Sequence, residues 1–172
     1  MHNRLLITGA SGTGTTTLGR ALAKRIDAAF FDADHYHFVP SEPPYQRKED
    51  PANRLRRILS DLEQVQSAVI AGSIMDWGDR LEDTLTQVVF LTVPAPIRLN
   101  RLYDREMQRF GSVDPEFIAW AEQYEEGQLP GRSLSRHRVW LAKRSCPILH
   151  LDGDLPTEDR VVRVMQMLEE NP

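Results

Sequence analysis

The chain has little cysteine, little lysine and no excess of positive charge, and each shortage excludes something. Cys146 is the only cysteine in 172 residues, so no intramolecular disulfide can form and a reducing cytoplasm is the expected setting. It precedes Pro147 and an apolar run, and reads as a core thiol rather than a nucleophile. No apolar stretch approaches the ~20 residues that a membrane-spanning helix needs. Met1-His2-Asn3-Arg4 leads directly into a strand pattern, which leaves no room for a signal peptide. With 21 basic residues against 25 acidic ones, the net charge of -4 argues against a general binder of nucleic acid or membrane surfaces. Internal repeats and low-complexity segments are also missing. Of the 21 basic residues 18 are arginine, whose planar forks suit phosphate recognition. A GC-rich genome would explain that total equally well, so only the positions of the arginines inform.

What is present is an alternation of strand and helix signals through a length suited to one domain. Leu5-Leu6-Ile7, Ala28-Ala29-Phe30-Phe31, Ala68-Val69-Ile70-Ala71-Gly72, Val88 to Val93, and Pro147 to Leu151 read as five strands. Continuous apolar runs of this kind fit central strands of a parallel sheet covered on both faces. Helical spacing marks Leu18 to Ile26, Leu55 to Leu62, about Pro96 to Arg109, and Val161 to Leu168. A polar, proline-bearing loop is expected from His35 to Pro51. The expected fold is an α/β three-layer sandwich with a five-stranded parallel sheet, its ligands at the carboxyl ends of the strands.

Gly9 to Thr17 reads Gly-Ala-Ser-Gly-Thr-Gly-Thr-Thr-Thr, between the first strand and the first helix. In that context the run is a phosphate-binding loop, with Gly9, Ser11, Gly12, Thr13, Gly14, Thr15, Thr16 and Thr17 as nucleotide contacts. Its backbone N–H groups and the positive end of the helix favour an anion without any charged side chain. Thr16 is placed to coordinate magnesium. The usual pattern carries lysine after the second conserved glycine; here Thr15 stands there. A mobile cation on the outer phosphates is lost, so turnover should suffer more than binding. Lys24 lies eight positions past Thr16, about 12 Å along a helix, and is out of reach. A glycine-rich turn with three threonines as caps is the competing explanation.

Asp32 and Asp34 close the second strand at the same sheet edge. Positions two apart on a strand share a face, so both carboxylates address one site: one for magnesium, one for an acceptor hydroxyl. Solvated loop carboxylates or a helix cap are the alternative. Asp-Ala-Asp-His-Tyr-His also offers four potential ligands for zinc, the basis of a metal-dependent hydrolase reading. Arg98, Arg101, Arg105 and Arg109, spaced by three, four and four, share a helical face. Arg101, Arg105 and Arg109 are the candidates to neutralise a transferring phosphoryl group, against the alternative of a solvated basic face. Arg132, Arg136 and Arg138 follow as second-tier candidates. Phe110-Gly111 and Gly127 to Gly131 suggest hinges. Trp77 is a candidate wall for the acceptor pocket.

This order of features resembles the P-loop kinases of small metabolites, the group of shikimate, gluconate and nucleoside monophosphate kinases. Phe-Phe-Asp-Ala-Asp at 30–34 is similar to the Asp-x-Asp of shikimate kinases, in which the first acid serves magnesium and the second the substrate. Helix 98–109 resembles the start of their lid. Leu151-Asp152-Gly153 is similar to their adenine loop, which makes Asp152 and Gly153 nucleotide contacts. Gly-Ala-Ser-Gly-x-Gly and Gly131-Arg132-Ser133-Leu134 resemble bacterial adenylate kinase-like or AAA-family ATPases. The resemblance spans nearly the whole chain in layout, although only the glycine loop is specific. It implies one P-loop NTPase domain over 1–172 with a helical lid around 105–135. ATP and Mg2+ are the implied cofactors, and a small-molecule acceptor the implied partner, in a monomer or homodimer. A nucleotide-binding module or weak ATPase, having lost turnover with the lysine, is the alternative.

Overall fold

The computed structural model describes residues 3–42, 44–127 and 131–170. Strands β1 (Asn3–Gly9), β2 (Ala29–Asp32), β3 (Ser67–Ala71), β4 (Gln87–Thr92) and β5 (Ile148–Asp152) form one parallel sheet in the order β2-β3-β1-β4-β5. Its centre is the most apolar part of the sequence. Leu5, Leu6 and Ile7 are all buried, and neighbouring Val69, Ile70, Val88 and Val89 are fully so.

Alternation along each strand sends these residues to two cores. On one face, Leu6, Ile70, Val88 and Phe90 meet helices α3 (Pro51–Glu63) and α7 (Leu134–Leu141) through Ile58, Leu62, Trp140 and Leu141. On the other face, Leu5, Ile7, Val69 and Val89 meet helices α1 (Thr15–Arg25) and α8 (Thr157–Glu170) through Leu18, Leu22, Val161 and Val164. The expected three layers and five parallel strands are present. Short α4 (Asp79–Glu82), long α5 (Ala95–Phe110) and α6 (Pro115–Glu122) complete the elements beyond the loops.

The expected loop from His35 to Pro51 is more ordered than its composition suggests. Its first residues form a helical turn, α2 (Asp34–His37), because Tyr36 and His37 both donate to the Ala33 carbonyl. Phe38 then bridges Lys48, and Val39 and Glu49 donate across to Arg47 and His37, closing a narrow ladder. Asp50 caps α3 by accepting from the Asn53 amide, so Pro51 begins a helix instead of ending a loop. Residues 128–130 of the expected second hinge lie outside the described residues; Gly127 and Gly131 on either side have φ of 69° and 102°. Among the described residues no helix is long and apolar enough to cross a membrane.

Candidate nucleotide and acceptor site

β1 delivers the chain to the glycine loop, which turns back when the Thr13 amide and hydroxyl both donate to the Ala10 carbonyl, at 3.2 and 2.8 Å. Gly12, at φ 85°, packs directly on the start of α5. A Cβ there would lie 2.5 Å from the Arg98 carbonyl oxygen, so the loop's shape is set partly by a helix distant in sequence. α1 starts without any side-chain cap, its N-cap being left-handed Gly14. The three-threonine capping explanation is thereby corrected. Thr13 is turned to Ala10, and the Thr16 hydroxyl faces Asp32 at 3.5 Å. The amides of Gly12, Gly14, Thr15 and Thr16 donate to no acceptor among the described residues. That leaves an open row of donors where an anion is favoured.

Asp32 ends β2 beside Thr16, but Asp34 is not on the strand. It opens α2, and its own amide donates to Asp32 Oδ1 at 3.1 Å. The shared-face argument for the two acids therefore fails, and a backbone turn brings them together instead. Burial pushes the Asp32 carboxyl above its ordinary value, with the Asp34 amide opposing. A half-buried carboxylate facing a hydroxyl, with no ion-pair partner among the described residues, offers the hard oxygen donors that magnesium takes. Zinc finds less. No group of three or more His, Cys, Asp or Glu among the described residues could hold a metal.

The arginine face of α5 is divided. Arg98 is 0% exposed, donating to the Ala121 carbonyl at 2.8 Å and through both Nε and Nη2 to Glu125, with its guanidinium near the Tyr124 ring. It ties α5 to the segment after α6 and is no part of a solvated face. Arg101, Arg105 and Arg109 are exposed. Arg101 pairs with Asp154, Arg105 with Glu106 at 3.3 Å, and Arg109 lies over the Tyr45 ring at 5.7 Å. None of these three is hydrogen bonded to segment 9–17 among the described residues.

From α3, Arg54 is 8% exposed, with its Nη1 donating to His37 Nδ1 at 2.9 Å and its guanidinium 4.3 Å from the Trp77 ring. A guanidinium can only donate, so His37 accepts at Nδ1 and is neutral. Burial and the Arg54 charge hold its pKa down to about 4. Arg54 Nε is buried with no partner among the described residues. Trp77 is buried and stacked on His37, its loop held by buried Glu82, which accepts from the Trp77 and Gly78 amides and from Trp140 Nε1. Arg132 lies over Trp120, and the Asp34 charge favours its ionised form against burial.

The sequence profile of the AAA domain family matches residues 5–118. A Bacillus subtilis protein, the uncharacterised YqaC, is 34% identical over 99% of this chain and 100% of its own length. The chain belongs to the AAA domain family. Its fold is also that of solved shikimate kinase and gluconokinase structures. A shikimate kinase of Bacteroides thetaiotaomicron is 29% identical over 74% of this chain and 80% of its own. The fold matches a shikimate kinase crystal structure from the same organism at 21% identity and TM-score 0.64, covering 97% of this chain and 98% of that one. It also matches a Sinorhizobium meliloti gluconokinase at 19% identity and TM-score 0.57, covering 97% and 95%.

Two further parts of this AAA domain escaped sequence reasoning. Buried His137, on α7, shares a hydrogen bond with the Tyr124 hydroxyl at Nδ1 (2.7 Å), and its Nε2 faces the Thr8 hydroxyl at 3.4 Å. This links the root of the phosphate loop to the segment behind the arginine helix. Arg160, on α8, donates to the Thr13 carbonyl at 2.8 Å and to the Gly153 carbonyl at 3.0 Å. Gly153 and Thr13 also line a cavity of about 330 Å3 with Ala10, Thr92, Tyr124 and Leu134. Asp152 accepts from the Thr92 hydroxyl and so anchors the loop after β5.

Proposed function

We propose that the chain is an ATP- and magnesium-dependent phosphotransferase acting on a small hydroxyl- or phosphate-bearing metabolite with an anionic group. The observation that carries this is the open row of loop amides beside the Thr16–Asp32 pair, with Asp34 one turn away. The acceptor side supports an anion, because Arg54 is a buried cation with, among the described residues, an unpartnered Nε and no carboxylate paired to it. The relatives named shikimate kinase and gluconokinase are consistent with such an acceptor.

In this reading the acceptor hydroxyl oxygen attacks the γ-phosphorus. One P–O bond forms, and the bond from that phosphorus to the β–γ bridging oxygen breaks, so ADP leaves. Asp34 takes the hydroxyl proton. Thr16 and Asp32 would hold magnesium, which neutralises charge on the outer phosphates. The open amides of Gly12, Gly14, Thr15 and Thr16 orient the phosphates, and Asp152 with Gly153 faces the base. In the same reading Arg101, Arg105 and Arg109 neutralise the transferring group as a lid over 105–135 closes. Thr15 favours a second reading, a nucleotide-binding module or weak ATPase without efficient transfer.

A coupled ADP-release assay tests the proposal across anionic hydroxy metabolites, shikimate and gluconate included, with neutral polyols for comparison. Acceptor-stimulated release is expected for an anionic member. Confirmed nucleotide binding without any stimulated release removes the kinase reading. Thr15→Lys then separates the alternatives: a large gain in transfer marks a decayed kinase, and a loss marks a different cation arrangement.

A further inference from the structure

Arg160 is the only cationic side chain hydrogen bonded to segment 9–17 among the described residues. It stands in the first turn of α8, is 4% exposed, and reaches the loop from behind. Its Nη1 holds the Thr13 carbonyl and its Nη2 the Gly153 carbonyl, while Nε is buried with no partner among the described residues. No carboxylate pairs with it among the described residues, since neighbouring Asp154 is engaged by Arg101. Burial, followed by the Arg101 charge, lowers its pKa, with Asp154 opposing. A buried guanidinium whose hydrogen bonds all go to carbonyl dipoles has no ion pair to balance its charge.

The peptide between Thr13 and Gly14 transmits this arrangement to the loop. In a planar trans peptide the C=O and N–H point opposite ways. Arg160 grips the carbonyl, so the Gly14 N–H is turned away from the guanidinium, and it meets no acceptor among the described residues. Gly14 lies at φ 94°, and a Cβ on it would sit 3.2 Å from Nη1. Backbone and cation are thus in direct contact at the position before the missing lysine.

We propose that Arg160 is a positioning residue for the nucleotide. It is a fixed cation behind the loop that supplies charge Thr15 cannot, and a strap that holds the phosphate-binding loop and the loop after β5 at one spacing. The inference rests on the nucleotide-binding reading above. Its ligand chemistry is a polyphosphate anion, whose charge completes the pairing that no carboxylate provides. Unlike a loop lysine, Arg160 acts through the Thr13–Gly14 peptide, and the guanidinium itself stays under the backbone.

The test is calorimetry on the full chain with two probes, Mg-ADP and inorganic tripolyphosphate. Arg160→Met is expected to weaken both on the order of 10- to 100-fold, as removal of one nearby charge across a peptide would. The double variant Thr15→Lys, Arg160→Met is expected to regain most of the tripolyphosphate affinity, which a merely structural arginine would not allow. Wild-type protein that binds neither probe overturns the nucleotide reading and this inference together. Wild-type binding matched by Arg160→Met overturns the inference alone, and so does a double variant that stays as weak as the single one. If Arg160→Met does not fold, Arg160→Lys decides. Tripolyphosphate affinity within about threefold of wild type supports the fixed-charge role, and a loss above about tenfold refutes it.

Discussion

Acidification should unfold this protein through one imidazole before its carboxylates matter. His137 is 1% exposed, wedged between Tyr124, Thr8 and the Phe90 ring, with Arg132 the nearby charge that opposes its protonation. Burial, first, and Arg132, second, lower its pKa from 6.5 to about 4. Between those two values the unfolded chain binds the proton and the folded chain does not, so stability falls as pH falls through that window. Integrating one such group from pH 7 to pH 5 gives a loss of about 2 kcal/mol. His37, half-buried and also held near 4, adds a smaller share of the same sign. Asp32 works the other way, because its raised pKa favours the folded state as protons are added.

Urea unfolding at pH 7, 6 and 5 reads the slope directly. His137→Asn removes the titration while keeping an oxygen that can accept from the Tyr124 hydroxyl. The variant is expected to lose about 2 kcal/mol less than wild type between pH 7 and pH 5. Parallel pH profiles for the two proteins would refute the claim that His137 is buried and neutral.

Arg54→Met is expected to raise KM for an anionic acceptor about tenfold or more with kcat changed little, as loss of uniform binding predicts. The same change removes the cation donating to His37 Nδ1, so the His37 titration followed by NMR should move up from about 4 toward its ordinary value. Unchanged KM and an unmoved His37 would place Arg54 outside the acceptor site. Arg101→Met is expected to lower kcat while leaving the Mg-ADP affinity within about threefold, because Arg101 is engaged by Asp154 on the surface rather than by the loop. An equal loss in both quantities would assign Arg101 to ground-state binding.

The sheet and its flanking helices were legible because the burial pattern is simple. Five apolar runs map onto five strands, and the glycine loop falls between β1 and α1. The acids were found for a partly mistaken reason, since a turn at Ala33 rather than strand alternation brings Asp34 beside Asp32. The buried arginines were not recognised as such. Arg54 precedes Ile58 and Leu62 by four and eight, Arg98 precedes Leu102 by four, and Arg160 precedes Val164 by four, so each occupies the buried stripe of its helix. That spacing is visible in the sequence. A charged residue on an apolar stripe was the available signal for Arg54 and Arg160. What no local pattern carries is the partner: carbonyls at Ala121, Thr13 and Gly153, and an imidazole at His37, reach these cations only through the tertiary fold.

Where the cations sit bears on which step the missing lysine weakens. A cation fixed under the backbone attracts the phosphates about equally before and during transfer, and equal attraction lowers the energy of the bound state without lowering the barrier above it. Arg160 is of this kind, locked by two carbonyls and buried. In the proposed kinase reading, acceleration must come from charge that strengthens as the γ-phosphoryl group moves, and Arg101, Arg105 and Arg109 are the groups proposed to supply it. Arg101 would have to leave Asp154 to do so, and an exposed pair of that sort holds it by only about 0–1 kcal/mol. Such a small restraint is compatible with closure driven by acceptor binding. It also ties catalysis to the acceptor, so nucleotide alone would bind in the loop and turn over slowly.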